Sequence, residues 1–72
     1  MTNVKKYNRL QWWRSDFKIV KTVDGDYKHW YYLGLDDKDV LYLIVEEIIS
    51  GDVEVFKLDP NEKEDQVYIK MF

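Results

Sequence analysis

The sequence predicts a small α+β domain: an antiparallel sheet with one helix packed across it, in the order β-β-α-β-β, with a possible extra N-terminal helix. Three observations carry that prediction. An Asp24-Gly25 pair separates two segments rich in β-branched and aromatic residues, which is the pattern of a hairpin. An apolar stretch with helical spacing lies between a group of carboxylates and a glycine. Two more short segments of strand composition follow it. One helix laid across such a sheet is the natural two-layer arrangement.

No repeat, low-complexity stretch or Gly/Ser linker divides the 72 residues, so a single domain is expected, with a basic-aromatic segment 1–16 ahead of a body 17–72. At the start, Val4, Tyr7 and Leu10 fit a short helix, whereas Trp12-Trp13 before Arg14 would extend the first strand. Residues 17–23 and 27–35 are the hairpin strands, joined by a type I′ turn at Asp24-Gly25. In the second strand Tyr27, His29, Tyr31, Leu33 and Leu35 share one face, and Lys28, Trp30 and Tyr32 the other. Aromatics on both faces imply a central strand or a face used for contact.

Residues 38–50 read as the helix. Asp36 or Asp37 caps its start, and Gly51 ends it. At about 100° per residue, Leu41, Ile44, Val45 and Ile48 form one stripe. A strand over 40–45 is the competing reading, but Glu46-Glu47-Ile48-Ile49 and the two caps favour a helix. Residues 53–58 read as a strand, and Asp59-Pro60-Asn61 opens a polar turn. Residues 66–72 then alternate as a last strand, with Val67, Ile69 and Met71 on one side.

Composition bounds the chemistry. Aromatic residues make up 17% of the chain, so few side chains can fill the core and some apolar surface stays outside it. That favours a homodimer or a partner interface. The absence of cysteine removes disulfides, thiolate zinc sites and cysteine nucleophiles together. The first ten residues lack the apolar core of a signal peptide. The longest apolar run, 40–45, is far short of the ~20 residues that span a bilayer. A cytoplasmic protein with no membrane partner is expected. Charge is divided along the chain: residues 1–22 hold six Lys and Arg against Asp16, and residues 23–72 hold five Lys against 13 Asp and Glu. Such asymmetry suggests a charged partner, or two segments that face each other.

No catalytic constellation is visible, and no cofactor or metal is expected. His29 is the single histidine, which rules out any two-His metal motif. Ser15 and Ser50 lie outside a nucleophile elbow, and the three glycines stand apart rather than forming a phosphate loop. Asp36-Asp37-Lys38-Asp39 starts like a calcium loop but lacks its central Gly and final Glu.

Two surfaces remain. On the expected helix, Tyr42 and Leu43 project among Asp36, Asp37, Asp39, Glu46 and Glu47, opposite the sheet-facing stripe. This face reads as ordinary acidic surface, as a dimer contact, or as an apolar knob with carboxylates standing in for DNA phosphates. The second surface is the N-terminal segment, where Lys5, Lys6, Arg9, Trp12, Trp13 and Arg14 could track a phosphate backbone and stack on bases. The acidic remainder of the chain opposes that, and the alternative is that the aromatics complete the core while the cations pair with the acidic half.

The stretch from Asp24-Gly25-Asp26-Tyr27 through Tyr31-Tyr32-Leu33-Gly34-Leu35-Asp36-Asp37-Lys38-Asp39 to Tyr42 resembles the small uracil-DNA glycosylase inhibitors of phages of Gram-positive bacteria. They too have a hairpin turn, a Tyr-rich second strand, a Gly-Leu break and an acidic helix start. The resemblance implies a dimeric DNA mimic that places a helix ring near the base-reading region of a host enzyme. Val40 follows Asp39 in this chain, so that role falls to Tyr42 or Leu43. Sliding-clamp inhibitors and proteins that block CRISPR effectors share the small acidic style, which widens the expected partner to a host DNA-processing protein.

Overall fold

Residues 41–47, expected at the middle of a helix, are instead the central strand of a five-stranded antiparallel sheet. The computed structural model describes residues 1–23 and 25–70. The chain runs through β1 (Thr2–Tyr7), a 3₁₀ turn (Trp13–Asp16), β2 (Lys18–Val23), β3 (His29–Leu35), β4 (Leu41–Glu47), β5 (Val53–Lys57) and α1 (Lys63–Ile69). The strands lie in the spatial order β1-β5-β4-β3-β2, and each neighbouring pair is antiparallel. The α+β class holds. The order β-β-α-β-β does not, because four strands follow one another directly and the helix comes last.

β4 is bonded on both sides and covered on both faces, so consecutive positions are apolar and the period-2 signal is lost. Leu43 sits between Leu33 and Phe56 on one face, and Ile44 between Tyr32 and Val55 on the other. The carboxylates ahead of β4 build a turn rather than a helix cap. Asp36 Oδ1 accepts the Lys38 and Val40 amides at 2.9 Å each, and Asp39 sits at φ 61°. Gly51, at φ 74°, closes the turn after β4 rather than a helix.

The last expected strand is α1. Its first turn carries Glu64 and Asp65 just after Pro60, a combination that starts helices. Tyr68 and Ile69 pack on the sheet one turn beyond Asp65, whereas Val67 faces outward. Met71 lies outside the described residues. The N-terminal helix is absent as well: residues 2–7 are β1, and Trp13 enters the 3₁₀ turn rather than extending β2. The hairpin 17–35 is present, but Val23 pairs with Tyr31, so its connection is longer than a type I′ turn. Asp24 lies outside the described residues.

Each face of the sheet carries a thin core. Tyr7, Trp13, Tyr32, Ile44, Val53 and Val55 fill one, beneath the 3₁₀ turn. Trp13 and Tyr32 pack with ring centroids 5.1 Å apart, and Phe17 meets Tyr42 edge-on at 5.4 Å. Gly34 makes room there, since a methyl group on it would lie 3.4 Å from Phe17 Cβ and 3.1 Å from Ile44 Cδ1. Leu33, Leu43 and Leu58 fill the other face, beneath α1.

Hydrogen-bonded aspartates, Asp36 and Asp65 among them, are expected to make the fold acid-sensitive. Asp36 is held below the ordinary value of 3.8, chiefly by the Val40 amide, and Asp65 likewise, chiefly by the Asp59 amide. A carboxylate depressed in the folded state stabilises it above the unfolded value and stops doing so as pH falls. Stability is expected to be level between about pH 5 and pH 7 and to decline as pH drops through 3.8. Urea midpoints measured across that range, with Asp36→Asn flattening the decline, check this.

Candidate functional site

The sheet has two chemically different ends. At one, the β3–β4 turn (36–40) and the β5–α1 connection (58–62) lie side by side, joined by the Leu58 amide donating to the Leu41 carbonyl at 3.1 Å. Both are held by their own side chains: Asp36 serves the first turn, and Asp59 Oδ1 accepts the Asn61 amide at 2.9 Å in the second. Buried Asp65 ties the second connection to α1 by accepting the Asp59 amide at 2.8 Å. Its other contact is the Met1 ammonium, 3.1 Å away. Around this end stand seven carboxylates, Asp36, Asp37, Asp39, Asp59, Glu62, Glu64 and buried Asp65, with Lys18, Lys38, Lys57, Lys63 and the Met1 ammonium, which lies 3.0 Å from Glu62, so that carboxylates exceed cations by two.

The opposite end gathers three loops: 8–12 after β1, 25–28 ahead of β3, and 48–52 between β4 and β5. Their polar backbone groups are largely bonded within the loops. Asn8 Oδ1 accepts the Leu10 amide at 2.9 Å, Asp26 Oδ1 the Lys28 and His29 amides at 2.8 and 2.9 Å, and Ser50 Oγ the Asp52 amide at 3.1 Å. The loops also brace one another. The Ile48 amide donates to the Lys28 carbonyl at 2.9 Å, and a methyl group on Gly51 would lie 2.6 Å from Arg9 Cβ. What projects is apolar: Leu10, Trp12, Tyr27, Ile48 and Ile49 are 88, 72, 84, 43 and 85% exposed, with Trp30 beside them at 45%.

The seven residues expected to form one partner-binding face are divided by this geometry. Asp36, Asp37 and Asp39 meet at the carboxylate end, whereas Glu46 and Glu47 lie at the far end of β4, roughly 20 Å away for a strand of this length. Tyr42 and Leu43 point to opposite faces. Tyr42 is half-buried and donates its hydroxyl to Asp36 Oδ2 at 3.0 Å; Leu43 is 3% exposed, within the core. Glu46 accepts the Tyr32 hydroxyl at 2.8 Å. The greasy knob within a ring of carboxylates therefore does not exist.

The N-terminal cations do not form a continuous track either. Lys5 pairs with Asp16 and Lys6 with Glu54, each at 3.8 Å. The second pair joins the basic and acidic halves of the chain across the β1–β5 ladder. Arg14 stacks 4.8 Å from the ring centroids of both Trp13, which is buried, and Tyr32. Of this set Arg9 and Trp12 lie within the exposed loops and Lys6 at their border. Leu10, Tyr27, Trp30, Ile48 and Ile49 were not singled out from sequence. The available signal was Ile48-Ile49 running straight into Ser50-Gly51-Asp52, since apolar residues inside a tight turn have no core to enter.

Ser15 donates to the Trp12 carbonyl at 3.1 Å, and the His29 ring lies 3.2 Å from Asp26. Among the described residues no group of three or more His, Asp or Glu is placed to hold a metal ion, and no helix is long and apolar enough to cross a membrane. No protein-family model matches the sequence, and neither the curated proteins nor the solved structures compared with it give a match.

Proposed function

We propose that this chain is a non-catalytic inhibitor that binds a host DNA-processing protein, its carboxylate end taking the place of DNA phosphates in a basic cleft. The observation that supports this reading is the gathering of Asp36, Asp37, Asp39, Asp59 and Glu62 on two self-bonded turns, with Glu64 in the first turn of α1, at one end of the sheet. Carboxylates fixed by backbone geometry keep their spacing when they meet a basic surface, so little ordering is lost on binding. Charge of one sign at a single end also steers encounter with a cationic cleft. Direct nucleic-acid binding by the N-terminal segment has less behind it, because Lys5, Lys6 and Arg14 are already engaged within the domain.

The resemblance of residues 24–42 makes uracil-DNA glycosylase the first target to assay. Uracil excision is expected to fall as the chain is added and to recover as salt rises. A triple variant, Asp37→Asn, Asp39→Asn and Glu64→Gln, is expected to lose the inhibition while keeping its circular dichroism, because all three side chains are exposed. Excision unchanged at molar excess removes glycosylase as the target. Inhibition that survives the triple variant removes the carboxylate end as the binding surface.

A further inference from the structure

The edge strand β1 lays its cations on carboxylates of the rest of the domain and buries almost nothing in doing so. We infer that residues 2–6 form a cationic strap that lifts off β5 as a unit, pivoting on Tyr7, while β2 to β5 stay folded.

Burial separates β1 from the other strands. Of its six residues only Tyr7 is buried, and Val4, its one aliphatic side chain, is 49% exposed. β2, the other edge strand, is clamped instead, since Ile19 packs on one core and Val23 on the other. A local opening costs what its apolar contacts are worth, so the strand with least to lose opens first. The ladder is also interrupted, because the register with β5 shifts between Asn3 and Lys5. Tyr7 is the fixed end. Its ring lies in the core and its hydroxyl donates to Asp16 Oδ2 at 2.7 Å. The turn beyond it is closed on itself, the Asn8 amide donating to Gln11 Oε1 at 3.0 Å, so a swing of residues 2–6 leaves it in place.

What holds the strap down is charge. Residues 2–6 contain no carboxylate. Lys5 sits 3.8 Å from Asp16 and Lys6 3.8 Å from Glu54, while the Met1 ammonium lies 3.0 Å from Glu62 and 3.1 Å from Asp65. Asn3 adds a 3.5 Å hydrogen bond to Glu54. Arg14, Lys57 and Lys63 are the cations nearest to these carboxylates along the elements that carry them, and none of the three pairs with them among the described residues. The Lys5 and Lys6 pairs are exposed, and exposed pairs are individually weak and screened by salt. Raised, the strap bares the outer edge of β5 from Glu54 to Lys57 and releases the carboxylates it covered. One consequence rests on the carboxylate-end reading: the strap competes with a basic partner for Glu62 and Asp65, and is in that respect an autoinhibitory contact.

Amide hydrogen exchange of the full chain, read by nuclear magnetic resonance, tests the strap without any partner. Amides bonded across the β1–β5 ladder beside residues 2–6 are expected to exchange about a hundredfold or more faster than those of the β3–β4 ladder. Their rates should depend little on urea below the unfolding transition, because the opening exposes little surface. Raising salt from ~0.02 to ~0.5 M is expected to speed the first set a further two- to fivefold, roughly, and to leave the second unchanged. Lys6→Gln, on an exposed edge, is expected to have a similar effect at low salt. Equal rates and equal urea dependence for the two ladders overturn the proposal, since β1 then leaves only with the whole fold. So does a fast β1 indifferent to both salt and Lys6→Gln, because charge is then not what seats it. Inhibition of a DNA-processing protein enters neither outcome, so a failure here is distinct from a failure of the carboxylate-end reading.

Discussion

Leu43→Glu is expected to unfold the chain. Leu43 lies on β4 with Leu33 on one side and Phe56 on the other, at 3% exposure beneath α1 and Leu58. Removing a buried leucine costs about 2–5 kcal/mol, and placing an unpaired carboxylate there adds several more. A domain of this length has about 4–10 kcal/mol in total, so no folded reserve remains. Collapsed amide-proton dispersion and a coil-like circular dichroism spectrum are the expected readouts. The neighbouring change Tyr42→Phe should be mild, because it removes one partly exposed hydroxyl bond to Asp36. On an exposed helix face both substitutions would have been tolerated. A well-folded Leu43→Glu protein would therefore overturn the strand assignment.

Trp13→Ala has the second-largest expected effect, and its immediate neighbour supplies the control. Trp13 is buried against Tyr32 and is the lid of the core beneath the 3₁₀ turn. Its loss removes the ring pair, the surface that Arg14 stacks on, and cover for Ile44 and Val53. About 3–5 kcal/mol should disappear, roughly a third or more of the available stability. Trp12, 72% exposed, should cost less than about 0.5 kcal/mol when truncated in a monomer. Denaturant midpoints of the two alanine variants, compared at one concentration low enough to keep the chain dissociated, check the contrast. Equal midpoints would refute the division of labour between the two tryptophans.

What was readable in the sequence follows from which strands have one character and which have two. β5 and the β2–β3 pair were legible, since β-branched and aromatic residues there are bounded by clear turn residues. That β3 is interior was also legible, because Tyr31 and Tyr32 point to opposite covered faces. β4 was not. A strand buried on both faces is apolar at every position, and such a run satisfies a period of 3.6 as well as a period of 2. The flanking signals were ambiguous for the same reason: an aspartate that caps a helix also closes a turn, and a glycine at positive φ ends either. β1 hid behind its lysines, which belong to an edge strand with little to bury. α1 hid behind the chance alternation of Val67 and Ile69, although the carboxylates after Pro60 carried the right signal.

The carboxylate site was legible in part for a related reason. Asp36, Asp37 and Asp39 are consecutive enough to meet in any local structure, and they do. Glu46 and Glu47 needed the helix in order to join them. The extended chain carried those two to the other end, and it brought Asp59, Glu62 and Glu64 in their place through the antiparallel return of β5.

The placement of β1 against β5 bears on the order in which this protein assembles. β2 to β5 form a meander of neighbouring hairpins, each closed by a short connection. β1 pairs with a strand roughly fifty residues further on. Closing so long a loop is the slow step in folds of this kind. On a ribosome β1 thus has nothing to zip onto until β5 has been made, and its lysines keep it hydrated while it waits.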